Sequence, residues 1–438
     1  MHILIVFLGI LCLLLLITVL KLNAFIAFVI VSLFVGLAEG MPLDQVASSI
    51  QTGIGNTLGF LVVILGFGAM LGKLVAESGA AQRITSSLTS TFGLANIQWA
   101  LVLTGFIVGI PMFYSVGFVI LVPLVFTIAH STKMPLLYVG LPMLASLSVT
   151  HGYLPPHPAP TAIAVMFKAD IGKTLLYGIV VAIPAIIIAG PLFSRTLKHY
   201  NPQPTKAFFS QKPVEGKVPS LLTSVFTALF PVLLIGGSAL MQFLLKEGTA
   251  LHTFSTQMGN PLFAMLLAVL LAIYTLGIRV GRKMNDIMDS LVESVSGITM
   301  ILLIIAGAGA LKQVLTDSGV SEYVAGSLKN TTLSPLFLAW LIAAIIRVCV
   351  GSATVAGLTA AGIMLPFLSM SEVSPELMVL AIGSGSLMFS HVNDGGFWMF
   401  KEYFNLTLKQ TLSTWTVMET IVSIMGLVGV VCLNYFIS

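Results

Sequence analysis

The chain has 438 residues, 57% of them hydrophobic and only 8% charged, with a mean hydropathy of +1.04 and a formal net charge of +4. A soluble domain carries about a quarter charged residues, and no soluble core of this length hides so much apolar surface, so lipid is the solvent for most of the chain. That excludes a soluble globular domain, and the small positive charge reflects loop topology rather than nucleic-acid binding.

The chain opens on MHILIVFLGILCLLLLITVL, which lacks the basic start and small-residue cleavage site of a signal peptide and is expected to be a retained span. Further apolar runs long enough to span follow near 22–38, 55–72, 136–150, 175–194, 221–245, 261–279, 294–311, 376–390 and 414–437. Two other stretches, 97–129 and 335–369, are too long for one span and too interrupted for two. IPMFYSVG breaks the first and GSATVAG the second, so each predicts a re-entrant hairpin of two half-helices. Such irregular backbone is tolerated at membrane depth only inside protein or along a wet cavity. Cys12, Cys349 and Cys432 sit singly in apolar segments and offer neither a metal spacing nor a disulfide framework.

A single offset of about 240 positions relates the two ends of the chain. Glu77-Ser78-Gly79 recurs as Asp317-Ser318-Gly319, His151 recurs as His391, and Gly40 recurs as Gly281. The chain therefore divides into an N-terminal transmembrane repeat, 1–196, a polar cytoplasmic linker, 197–218, and a C-terminal transmembrane repeat, 219–438. Each repeat has about five spans plus one hairpin, and an odd number inverts the second half. Lys and Arg placement agrees. With the linker inside, fourteen of the twenty basic residues are cytoplasmic and both termini face outward. The expected fold is thus an all-α polytopic membrane protein with two inverted-topology repeats and broken helices at the midplane. This architecture marks secondary transporters. A channel is the nearer alternative, and no phosphate-binding loop points to ATP as the energy source.

The polar residues at the breaks suggest the chemistry. THGYLPPHPAP follows one apolar run and SHVNDGGFW another, placing His151, His157, His391, Asn393 and Asp394 where helices break. Ionisable groups at that depth default to a functional role. His151, His391 and Asp394 are candidates for proton coupling, and Asn393 for binding substrate. His157 has no histidine counterpart, since Phe397 holds the equivalent place, and is either a specialised addition or an interfacial residue. At the hairpin tips, Tyr114 and Ser115 in the first, and Gly351, Ser352 and Thr354 in the second, are candidate substrate contacts. The half-helix after Ser352 would aim its amide-rich N-terminus at a carboxylate. Arg347 is positioned to pair with that carboxylate or with Asp394. From the residues alone, the chain reads as a secondary transporter of a small hydroxylated anion coupled to protons or sodium. A distant alternative is an intramembrane metalloenzyme built on the same histidines, although no compact metal motif is present.

GFGAMLGKLVAESGAAQRI, VTHGYLPPHPAPTAIA, KADIGKTLLYG, GAGALKQVLTDSGV, RVCVGSATVAGLTAAGI, SPELMVLAIGSGS and SHVNDGGFWMFKEYFNLTLKQTL together resemble the gluconate permease family of bacterial proton symporters, essentially end to end. The resemblance implies no enzyme activity and no cofactor. It implies uptake of gluconate or a related sugar acid with protons, across the bacterial inner membrane, in a fold often found as a homodimer. Permeases for D-serine, idonate and other small acids are alternatives within the same family, as is sodium-coupled carboxylate transport. Many members carry a glutamate in the first hairpin where this chain has Ser115.

Overall fold

The computed structural model describes residues 2–198, 200, 202, 217–245, 248–319, 334–368, 373–392 and 394–437. Among them, all regular structure is helical, as lipid requires when no water satisfies the backbone. The first half comprises α1 (His2–Thr18), α2 (Ala24–Ala38), α3 (Leu43–Glu77), α4 (Ala80–Phe92), α5 (Ile97–Gly109), α6 (Tyr114–Thr132), α7 (Leu136–Tyr153), α8 (Pro158–Phe167) and α9 (Ile171–Thr196). The second comprises α10 (Leu221–Leu244), α11 (Ala250–Met258), α12 (Pro261–Val280), α13 (Met284–Ser296), α14 (Thr299–Asp317), α15 (Pro335–Val350), α16 (Ala353–Leu368), α17 (Pro375–Gly385), α18 (Gly395–Tyr403) and α19 (Leu408–Ile437). Most of the polar linker at 197–218 lies outside the described residues. Among those described, α9, the Leu221–Gln242 part of α10, α12 and α19 are each long and apolar enough to cross a membrane.

The apolar runs expected to span are helical, but three differ in extent: the run at 294–311 crosses a break at Gly297 and Ile298 between α13 and α14. The run at 55–72 is the later part of α3, which starts at Leu43 with Asp44 in its first turn, where an acid favours the helix dipole. The run at 376–390 ends early, at Gly385. There Ser384 and Ser386 turn their hydroxyls onto the carbonyls of Ala381 and Gly383, at 2.9 and 2.7 Å, and Phe389 adopts a left-handed φ of 48°. Serine bonding back to its own helix competes with continuation of that helix, so α17 is a half-helix rather than a span. The corresponding break in the first half is proline-driven. α7 stops at Tyr153, and α8 restarts with Pro158 at its first position, where the missing N–H costs nothing.

The local geometry repeats along the chain. Gly40 and Gly281 both take left-handed φ, at 86° and 96°, as do Gly79 and Gly319, at 79° and 72°. Lys168 and Asn405, also left-handed, follow α8 and α18. Asp170 and Thr407 then cap α9 and α19 by accepting the amides of Lys173 and Gln410. Helices α3 and α13–α14 pack against each other, and their end contacts run them in opposite directions. Ser49, near the start of α3, donates to Asp317 at the end of α14 (2.6 Å). At the other end, Glu77 of α3 meets Arg282, just before α13, at 3.0 Å, and Lys73 meets Glu293 of α13 at 3.0 Å.

Candidate functional site

Both interrupted stretches fold as helix–turn–helix pairs. In the first, α5 gives way to α6 through Ile110–Phe113. In the second, Gly351 ends α15 in the left-handed conformation (φ 81°), which a side chain would strain, and α16 starts two residues later. Both tips face a cavity of about 450 Å³, within the range of small-molecule sites. Tyr114 and Ser115 line it from the start of α6, and Ser352, Ala353 and Thr354 from the start of α16. Gly395 and Gly396 line it from the start of α18. Three helix N-termini thus converge on one space, each bringing the amide-rich, positive end of its dipole.

Arg347, in the last turn of α15, is the cation of this cavity and is 3% exposed. Its Nη2 lies 2.5 Å from Asp394 Oδ2, and its Nη1 donates to the Gly351 carbonyl, tying guanidinium, hairpin turn and the head of α18 together. Asp394 is further engaged. It caps α18 by accepting the Gly396 amide at 2.9 Å and accepts from Ser390, whose hydroxyl in turn receives Trp415 Nε1 at 2.8 Å. Of the two partners expected for Arg347, the carboxylate of Asp394 is the one it holds. Its Nε has no partner and is buried.

The lining also carries buried polar atoms without partners: Tyr114 Oη, His151 Nδ1 and Glu419 Oε1. Glu419 sits in the long apolar α19, where its Oε2 accepts from Ser148 of α7 at 2.9 Å. Sequence reasoning passed over Glu419, although a single acid within TWTVMETIV is the kind of signal that marks an intramembrane site. Trp415 was also missed. It lies in a π-helical turn, Leu412–Thr416, where the widened helix brings its ring to 5.8 Å from Tyr114. Such bulges recur at functional sites.

The histidines separate. His151 lines the cavity, with its ring 6.3 Å from Tyr114 and 5.2 Å from His157. His157 is buried behind it, Nε2 at 2.8 Å from the Gly109 carbonyl. His391 stands off the cavity lining, Nε2 at 3.0 Å from the Val348 carbonyl. Asn393 lies outside the described residues. Among those described, no three His, Cys, Asp or Glu side chains gather in a manner that would hold a metal ion.

Comparison with known proteins places these features in context. The model of the family described as GntP family permease matches residues 1–436. The chain is 54% identical to a high-affinity gluconate transporter of Escherichia coli K12, over all of both chains. It is 52% identical to the Gnt-II system L-idonate transporter of the same organism and 48% identical to a gluconate permease of Bacillus subtilis 168, over 99% and 98% of each chain. Among solved structures, the Alcanivorax borkumensis YdaH transporter superposes with a TM-score of 0.67 at 17% identity, covering 94% of this chain and 97% of its own. Neisseria gonorrhoeae MtrF superposes with a TM-score of 0.66 at 14% identity, covering 94% of both. At such identities the two structures share the fold.

Proposed function

This chain belongs to the GntP family of permeases, and from that premise we propose that it imports gluconate, or a closely related sugar acid, by symport with protons. It is a multi-pass membrane protein and a transporter rather than an enzyme, which sets aside the metalloenzyme reading. The observation that carries the substrate reading is the convergence of three helix N-termini and Arg347 on one cavity. That arrangement attracts a carboxylate, while the hydroxyls of Tyr114, Ser115, Ser352 and Thr354 suit the hydroxyls of a sugar acid. Relatives named for gluconate and L-idonate make these the first substrates to try.

Two inverted halves, 1–196 and 219–438, are the architecture proposed to move this site between the two sides. The repeated left-handed glycines and the antiparallel packing of α3 on α13–α14 support that reading. The bacterial inner membrane is the proposed location, with both termini on its outer face. Uptake of labelled gluconate into proteoliposomes, competed by L-idonate, other sugar acids and D-serine, tests the substrate. Imposed pH and sodium gradients test the coupling. Accumulation that follows sodium and ignores the proton gradient would overturn symport with protons, and currents without accumulation would favour a channel.

A further inference from the structure

Glu419 is 2% exposed, and its carboxylate lines the same cavity as the Arg347–Asp394 pair. One oxygen accepts from Ser148; the other is buried with no partner, and among the described residues no cation lies within ion-pairing distance of it. The groups facing it are Ser148 and His151 of α7, Tyr114 of α6, Arg347 of α15 and Asp394 at the head of α18. Tyr153, also on α7, spends its hydroxyl on the Val422 carbonyl. α9 and α17, which also pack on α19, contribute no charged side chain to the lining.

Arg347 and Asp394 cancel each other. An ionised Glu419 therefore leaves the cavity negative, and an entering carboxylate would add a second uncompensated charge at low dielectric. A protonated Glu419 removes that repulsion and turns Oε1 into a donor for a substrate oxygen. Asp394 is unsuited to the task, because every proton it took would break its pairing with Arg347. We propose that Glu419 carries the symported proton, binding it together with the anion and releasing it when the anion leaves. The assignment rests on the carboxylate-symport reading above.

The test uses purified full-length protein in weakly buffered detergent. Gluconate is added while a pH indicator follows protons and calorimetry follows Kd across a range of pH. Wild type is expected to take up about one proton per gluconate bound, with Kd rising about tenfold per pH unit on the alkaline side. Glu419→Gln is expected to take up none, with a Kd that stays flat to within about twofold across the same range. His391→Gln, whose ring stands off the cavity lining, is expected to keep both the uptake and the slope. Should Glu419→Gln fail to yield monodisperse protein, Glu419→Asp decides, since it must retain proton uptake with a displaced midpoint. Proton uptake persisting in Glu419→Gln, lost in His391→Gln, undisplaced in Glu419→Asp, or absent from wild type that binds gluconate, would each overturn the assignment. Wild type that binds no sugar acid overturns the substrate reading, and the assignment with it.

Discussion

His157 and His391 make the same bond in the two halves: each places Nε2 on a carbonyl near the C-terminus of the helix that enters a hairpin, Gly109 at 2.8 Å and Val348 at 3.0 Å. Those carbonyls lie in the last turns of α5 and α15, where a helix runs short of donors of its own, and each accepts a bond from a ring nitrogen. The sequence offset pairs His391 with His151, but the bonding pairs it with His157. Two histidines therefore brace the hairpins, and His151 is the one that meets the cavity.

Replacing either brace should cost stability more than coupling. His157→Ala and His391→Ala are expected to lose about 1–2 kcal/mol each, read as a lower melting temperature in detergent. His391→Ala should leave the pH profile of uptake where it was. A shifted profile with unchanged melting would mean that His391 handles protons after all.

Arg347 and Asp394 should fail singly and partly rescue each other as folded protein. Arg347→Ala leaves Asp394 charged and unpaired at the head of α18, a loss of about 3–5 kcal/mol when a buried pair is broken. Arg347→Ala with Asp394→Ala is expected to recover much of that stability while uptake stays below a hundredth of wild type, because the guanidinium N–H donors for the substrate carboxylate are gone. Recovery of transport in the double variant would remove Arg347 from the binding site.

At the tip of the second hairpin, Ser352→Ala and Thr354→Val remove one hydroxyl each without altering the backbone turn at Gly351. If each hydroxyl bonds the bound acid, Kd for gluconate should rise about fivefold to tenfold per substitution, the worth of one hydrogen bond. Melting should hardly change, since Ser352 holds only a 3.3 Å contact to the Val355 amide. Unaltered Kd in both variants would place the substrate elsewhere in the cavity.

Antiparallel packing of α3 on α13–α14 makes a prediction about sidedness. In a background lacking Cys12, Cys349 and Cys432, the pair Ser49→Cys with Asp317→Cys should cross-link, as should Glu77→Cys with Arg282→Cys. A membrane-impermeant thiol reagent applied outside should block the first pair and spare the second. Blocking of both pairs, or of neither, is incompatible with inverted halves. Removing the partly buried Glu77–Arg282 contact alone should cost about 1 kcal/mol.

Much of the fold was legible before any coordinates. Eight of the ten apolar runs became unbroken helix because a backbone in lipid has few other ways to satisfy itself, while those at 294–311 and 376–390 are interrupted. IPMFYSVG and GSATVAG marked the two helix–turn–helix pairs because glycine and proline punctuate apolar helices. The end of α17 was less readable: its run stays apolar to Ser390, and only the serines turning onto their own helix stop it at Gly385.

What the sequence by itself determined is the environment and the parts: lipid as solvent, apolar helices, the places where they break, and a set of polar groups at the breaks. What only the tertiary structure decided is which of those groups share a space. Arg347 meets Asp394, forty-seven positions away, and Ser148 meets Glu419, two hundred and seventy-one away. Neither pairing follows from local pattern: the first depends on how α15 and α18 pack within the second half, the second on how α7 of the first half meets α19 of the second. Helix periodicity acts over a few turns, whereas the charge balance of a buried site is settled by whichever distant helices pack against it.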